Sequence, residues 1–525
     1  MGAEAAVMTG EAGPNHHDRL KDLLDLSKTK FSAAPKGDLT PSERWMKYLG
    51  FPGGLAVFAA VFFMPAPAGL TAAGQAALAC FLLALIWWVT EPVPTFVTSL
   101  TLMVLLVFLD VRPSDDVLGV LGLDVIWLNV MAFVLSSILI KTNLAKRLAL
   151  GLVSRWGTRA IPTLLAFLVL QLALAPLIPA TAARSVITLP ILLVVSAVYG
   201  ASAEKPNNVG RNLFLQSLMG INIFSSGFMT GSTANLIALS FLFGMAGKKV
   251  YYTDWLFASL PVALTAMAIC GWIGPKLLFR IEPENQTPRI AGGMETFKAE
   301  LASLGPLSFE EKRGAAIFGV VIFLWVTDRF HMGWFGFEVS PVLAAIVGGI
   351  LAFLPRIGLL KWSEADIPWN LMLFSAGAYA GGLALDATGA ARWVIGKIFA
   401  AASFGPGTSF WPVYMAVIAI NLISHYFFTS KTMRTIIMIP FVIGIAQQLG
   451  WNPVWLALPS AFTIDWVIGL PISGKPNVIF LTTGQYSVLD NVKYGAVMTV
   501  VAILLFWAFG FTWFRVLGVT PGFGS

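Results

Sequence analysis

The sequence predicts an all-α polytopic membrane protein built as inverted repeats, with about 11 transmembrane helices, two re-entrant hairpins and two broken helices. Three observations predict it. Hydrophobic residues are 57% of the 525 and charged residues only 12%, about half the charged share of a typical globular domain; mean hydropathy is +0.78. Many stretches reach the roughly 20 apolar residues that cross a bilayer. Two apolar stretches carry an arginine inside nearly the same phrase: Pro179-Ala-Thr-Ala-Ala-Arg184 runs on to Pro190, and Thr429-Ser-Lys-Thr-Met-Arg434 runs on to Pro440. A cation deep in an apolar segment is costly and normally faces a partner, a cavity or a substrate.

Residues 1–47 are polar, hold acids and bases in equal number, and lack the apolar core and cleavage site of a signal peptide, so they read as a cytoplasmic tail. The first half, 48–280, carries spans at 50–66, 72–91, 93–110, 122–141 and 254–280, with a broken helix at 211–245. The second half, 314–525, carries spans at 314–328, 339–355, 369–389 and 493–516, with a broken helix at 455–483. Two further regions, 160–199 and 408–447, are long enough to cross twice, yet each has its motif and charge at the midpoint. A hairpin that enters and leaves by one face puts that midpoint at membrane depth, where non-helical backbone is tolerated if protein or water surrounds it. The mixed-charge stretch 281–313 reads as a cytoplasmic linker.

Loop charges orient the chain. Lys141, Lys146, Arg147, Arg155 and Arg159 gather before the first hairpin, and Lys205 and Arg211 follow it, whereas Asp110, Asp115 and Asp116 outweigh Arg112 in the loop 110–121. The positive-inside rule then puts the amino terminus in the cytoplasm, in a plasma membrane or, in a prokaryote, the inner membrane. Lys248 and Lys249 run against this, since they fall outside.

The duplication extends to a second pair of phrases. Gly231-Ser-Thr-Ala-Asn235 corresponds to Ser473-Gly-Lys-Pro-Asn477, each following its hairpin and interrupting an apolar helix with Gly or Pro. Broken helices at matching places in two halves point to a transporter's substrate site, where half-helix amino termini meet anionic groups and freed carbonyls meet cations. One anion site built from both halves follows, with Arg184 and Arg434 as its fixed cations and Ser232, Thr233, Ser473 and Thr429 as candidate carboxylate donors.

The order of hairpin, broken helix, linker, hairpin and broken helix resembles the divalent anion–sodium symporter family from about residue 50 to 516. That family carries a Ser-Asn-Thr signature at each hairpin tip, ten residues ahead of a proline. The aligned triplets are Ala180-Thr181-Ala182 and Ser430-Lys431-Thr432. Its broken helices carry a Gly-Thr-Pro-Pro-Asn-like phrase, matched by Gly231 to Asn235 and Ser473 to Asn477. In sodium-coupled members the signature asparagines help build sodium sites; Thr181 replaces the first and Lys431 the second. An ammonium there repels sodium and can occupy its place. The chloroplast 2-oxoglutarate/malate translocators of the family similarly put an arginine after their signature. The resemblance therefore implies a sodium-independent dicarboxylate exchanger, homodimeric, with Thr181, Ser430, Lys431, Thr432, Asn235 and Asn477 at the site beside the two arginines.

Other readings stay open for several residues. Arg184 and Arg434 could donate to hairpin carbonyls or snorkel to an interface. Lys475 could contact substrate or pair with Asp465, ten residues earlier. Asp465 could carry a proton, and so could His425, although a histidine beside aromatics also reads as a packing residue. Sodium- or proton-driven uptake of dicarboxylate, citrate or sulfate keeps the same fold; an anion channel or an integral-membrane enzyme does not share the mechanism, and no clustered carboxylates or histidines suit an enzyme. Cys80 and Cys270 lie in separate apolar segments as packing residues, so no metal or other cofactor is anticipated, and the formal charge of +7 comes without the dense basic runs of a nucleic-acid binder.

Overall fold

The computed structural model describes residues 41–289, 293–394, 397, 407–428, 430–470 and 473–522, and is helical with no strand among them. The polar tail before Pro41 lies outside the described residues, as does Thr429. The first helix, α1 (Pro41–Phe63), begins inside the stretch assigned above to the tail. Its last carbonyls are not left bare: buried Gln75 donates its side-chain amide to Val61 and Met64, at 2.8 Å each, as helix ends require. Helices α2 (Ala72–Thr90), α3 (Thr95–Phe108) and α4 (Asp124–Lys141) follow near their anticipated bounds.

The amphipathic helix α5 (Leu144–Trp156) was not anticipated; its basic residues read from sequence only as loop charge. Two of them are engaged with residues of the stretch 281–313. Arg147 makes a two-pronged pair with Glu311, at 2.7 and 3.0 Å, and Lys146 reaches Glu300 at 2.9 Å. At the end of α4, Lys141 reaches Glu364 at 2.7 Å. Both hairpins break where their motifs stand. Helix α6 (Ala160–Leu174) gives way at Pro176 and Pro179 to α7 (Thr181–Val198). The first broken helix is α8 (Asn208–Gly227), capped by Asn207, then an extended residue and a single tight turn, then α9 (Thr233–Ala246). Gly231 is required at that turn, because a Cβ there would lie 2.9 Å from the Ser225 Cα. Helix α10 (Tyr252–Ile273) closes the half. The Asp328 carboxylate caps its amino terminus, accepting from the Tyr252 amide at 2.6 Å and the Thr253 hydroxyl at 2.7 Å.

The anticipated linker is partly helical: α11 (Gly293–Ser303) sits within it, and α12 (Phe309–Val326) begins inside its bounds, started by a reciprocal cap between Ser308 and Glu311. Then come α13 (Pro341–Phe353) and α14 (Trp369–Ala387). The second hairpin is α15 (Phe410–Ser424) and α16 (Lys431–Gln448). The second broken helix is α17 (Val454–Ile464) and α18 (Lys475–Leu481), and α19 (Val488–Phe511) follows. Lys249, whose position ran against the orientation rule, is paired with Glu338 at 2.7 Å.

Among the described residues six helices are long and apolar enough to cross a membrane, or up to seven with the bent pair Phe309–Val326 and Asp328–Phe335. The anticipated count of about 11, which included the two broken helices, is larger because several of its segments, Thr95–Phe108 and Pro341–Phe353 among them, are apolar helices of 10–17 residues. Helix α3, for example, has 14 residues, roughly 21 Å at 1.5 Å per residue. Large apolar side chains such as Phe108, Ile350 and Leu504 point outward, as a surface facing lipid requires.

Helices α1, α2, α3 and α14 pack together, as do α4, α12 and α13. The hairpin arms sit differently. Helix α7 packs on α8 of its own half and on α18 of the other; α16 packs on α17 of its own half and on α9 of the other. The four breaks are therefore gathered in the interior by an exchange of contacts between halves.

Candidate functional site

Each arginine of the paired motif is buried, Arg184 at 0% and Arg434 at 1% exposure. One turn from the amino end of its arm, each turns its guanidinium onto the broken helix of its own half. Arg184 Nη2 donates to the Ile221 carbonyl at 3.2 Å, the Gly231 carbonyl at 3.1 Å and the Ser225 hydroxyl. Arg434 Nη2 donates to the Thr463 carbonyl at 3.0 Å and to that of Ile464. Interrupting a helix leaves carbonyls without intrahelical donors; the arginines satisfy those of Gly231 and Ile464 and add to those of Ile221 and Thr463, which also accept from the Ser225 hydroxyl and the Trp466 amide. Nε and Nη1 of both side chains, however, have no partner. The sequence-level alternatives thus combine: one edge of each guanidinium braces a break, while the other remains unengaged in a buried setting.

The asparagines repeat one geometry in both halves. Asn235 donates its side-chain amide to the carbonyls of Ser225 and Phe228, at 2.9 and 3.0 Å. Asn477 does the same to Val467 and Leu470, at 3.0 and 2.9 Å, with identical chain separations of ten and seven. Both are structural staples across the break. The carbonyls taken by Arg184 and Arg434, those of Ile221 and Thr463, also stand equally far ahead of these asparagines.

The halves differ at the hairpin tips. Lys431 opens α16 and places Nζ 3.1 Å from Asp465 Oδ1, at the carboxyl end of α17. An ammonium at a helix amino terminus and a carboxylate at a carboxyl terminus each oppose the local helix dipole; paired, they offset that cost. The Asp465 partner considered from sequence was Lys475, and that is corrected here. Lys475 opens α18 with an exposed side chain. In the first half Thr181 holds the position equivalent to Lys431, half-buried at the start of α7. Arg184, Arg434 and Lys431 all lie close enough to Asp465 to feel its charge.

Several hydroxyls lie at the same helix starts. Ser232 caps α9, accepting from the Ala234 amide at 3.2 Å; Ser430 caps α16, accepting from the Met433 amide at 3.4 Å. Each keeps its hydroxyl hydrogen for an acceptor. Thr233 is buried and Thr432 half-buried at the first turns. Ser473 is otherwise engaged, donating to the His425 carbonyl at 2.8 Å. The His425 ring is fully buried, with Nδ1 on the Leu422 carbonyl and Nε2 without a partner, and it lies against Tyr426 with ring centroids 4.2 Å apart.

Sequence reasoning missed the residues that join the two breaks. Asn222 Nδ2 on α8 reaches the Val467 carbonyl at 3.2 Å and Asn477 Oδ1 at 3.4 Å. The Trp466 indole donates to the Ser226 hydroxyl at 3.0 Å. The signal was a polar ridge: Asn222, Ser225 and Ser226 share one face of an apolar helix at helical spacing, all buried. The arrangement offers an anion two half-free guanidiniums, an ammonium and two capping hydroxyls at the starts of α7, α9 and α16, and helix amino termini favour negative charge.

A family model described as the sodium:sulfate symporter transmembrane region matches residues 43–520. The chain belongs to the divalent anion–sodium symporter family. This divalent anion–sodium symporter family member is similar to a membrane protein of Cupriavidus necator, 26% identical over 500 residues that cover 91% of this chain and 95% of that one. It is similar to the sodium-dependent dicarboxylate transporter SdcS of Staphylococcus saprophyticus, 25% identical over 471 residues, 86% of this chain and 88% of that one. An L-tartrate/succinate antiporter of Escherichia coli O6:K15:H31 is 24% identical over 508 residues, 91% of this chain and 100% of the other. The family member is accordingly a multi-pass membrane transporter and not an enzyme.

Proposed function

We propose that this transporter exchanges C4 and C5 dicarboxylates, of the malate, succinate and 2-oxoglutarate class, without sodium. One observation carries the reading. Two buried cations, Arg184 and Arg434, and the half-buried Lys431 stand against one carboxylate, Asp465, which leaves two uncompensated positive charges beside unengaged N–H groups. A dianion supplies the missing charge and the missing acceptors. The names of two relatives, a dicarboxylate transporter and a tartrate/succinate antiporter, support that cargo class.

The same charge count supports exchange. Uncompensated charges repel strongly in a low-dielectric interior, so the empty site changes sides slowly and the loaded, neutral site quickly. The hairpins and broken helices would move together past the remaining helices, alternately opening the site to each face. A homodimer in the plasma membrane, with the amino terminus in the cytoplasm, completes the proposal.

The second reading is cation-coupled uptake of dicarboxylate, citrate or sulfate, favoured by the sodium dependence in one relative's name. Lys431 favours the first, because its ammonium stands at a hairpin tip where the family resemblance puts a sodium site. Proteoliposome counterflow separates them. Uptake of labelled succinate should require unlabelled dicarboxylate inside and proceed equally in sodium and choline media. Uptake into empty vesicles driven by a sodium or proton gradient would establish the second reading instead.

A further inference from the structure

The pairing of half-buried Lys431 with buried Asp465 bears on which anions are accepted. Asp465 is fully buried, with Oδ1 on Lys431 and Oδ2 without a partner. The Lys431 side chain is more accessible, at 11% against 0%. A ligand therefore meets the ammonium first, and the carboxylate lies behind it. The other buried acids among the described residues are engaged elsewhere: Glu311 with Arg147, Asp328 at the start of α10. Asp465 is the one that subtracts charge where the two arginines converge.

We propose that Asp465 sets the valence of the transported anion: by cancelling one of the three cations Arg184, Arg434 and Lys431, it leaves a site matched to two negative charges, and it excludes trianions. This rests on the dicarboxylate reading above. Asp465 acts here through Lys431 and through the field, not by touching cargo, and is a positioning residue. A trianion in the native site would remain one charge in excess in a medium where an uncompensated charge is expensive. Removing the Asp465 charge reverses the preference.

The test is counterflow of labelled succinate and citrate by the full-length protein in liposomes, at mildly alkaline pH where citrate is a trianion, with the same unlabelled anion inside. Asp465→Asn should raise the citrate-to-succinate uptake ratio about tenfold or more, since one unit charge several ångströms away in a protein interior is worth at least that factor. Lys431→Gln, which removes a cation, should lower the ratio. The double variant Lys431→Gln/Asp465→Asn restores the native charge count and should return the ratio to its native value, which a merely structural role for Asp465 does not predict. An unchanged ratio in a monodisperse Asp465→Asn protein would overturn the proposal. Should that variant fail to fold, an unchanged ratio in Lys431→Gln, or a double variant that does not return to the native ratio, would do the same. Native protein inert toward both anions would sink the dicarboxylate reading itself.

Discussion

Arg184 and Arg434 grip pseudo-equivalent carbonyls: Ile221 for the first and Thr463 for the second, at 3.2 and 3.0 Å. The register of these contacts relative to Asn235 and Asn477 is the same in both halves, so the duplication reaches individual hydrogen bonds. Each arginine consequently has two duties, bracing a break and offering its remaining N–H groups.

Replacing Arg184 or Arg434 by Gln should abolish counterflow and also weaken the fold, by about 1–3 kcal/mol for the carbonyls left unsatisfied. The two effects separate in a thermal-shift assay. Native protein should be stabilised by added succinate, whereas variants that still melt cooperatively should not respond. Retained uptake in both variants would remove the arginines from the site.

Asn222→Ala should lower stability by about 1–3 kcal/mol, because Asn477 Oδ1 loses its buried donor. Denaturation in mild detergent measures this. Asn222→Asp is the sharper variant: it adds a negative charge beside the arginines and should reduce dianion affinity. A native apparent KM in Asn222→Asp would show that α8 lies away from the bound anion.

Gly231→Ala should impair folding more than an ordinary small substitution, since the added carbon meets the Ser225 backbone and not a side chain that can swing away. Overpacking of this kind typically costs about 1–3 kcal/mol. Gly305→Ala offers the contrast: nothing lies within 4 Å of its Cβ position, and only its left-handed φ of +63° opposes the change. Equal melting temperatures for the two variants would mean that the tight turn relaxes freely.

A pH effect follows from Glu338, in the loop ahead of α13. The Lys249 ammonium donates to its carboxylate and holds it below the usual range. Its folded value is thus depressed relative to the unfolded one. The contribution is complete above the unfolded carboxylate range, about 4.3, and is lost as pH falls through the folded value. Native protein and Glu338→Gln should differ by less than about 1 kcal/mol at neutral pH, as partly exposed pairs do, and their melting temperatures should converge in acid. A gap that widens on acidification would contradict this sign.

The hairpins and broken helices were legible because local chemistry writes them: Pro176, Pro179, Gly231 and Pro476 interrupt apolar runs at repeated places, and sequence shows interruption directly. The buried arginines were legible through their repetition. The Asp465 partner was not, because Lys475 and Lys431 are equally plausible along the chain and only the meeting of α16 with α17 decides. The helix α5 was overlooked because its lysine and arginine side chains look like loop charge until Glu300 and Glu311 arrive from beyond residue 293. The helix α11 inside the anticipated linker 281–313 escaped notice for the same reason: Phe297 is fully buried, and α11 packs on α5, which is distant in sequence.

Thr181 and Lys431 stand at equivalent tips and could hardly be less alike. Duplicated architecture would by itself greet either end of a cargo identically; this divergence would give the proposed site a polarity. A lopsided molecule entering it would settle in one orientation, presenting the same terminus to the lysine at every turnover.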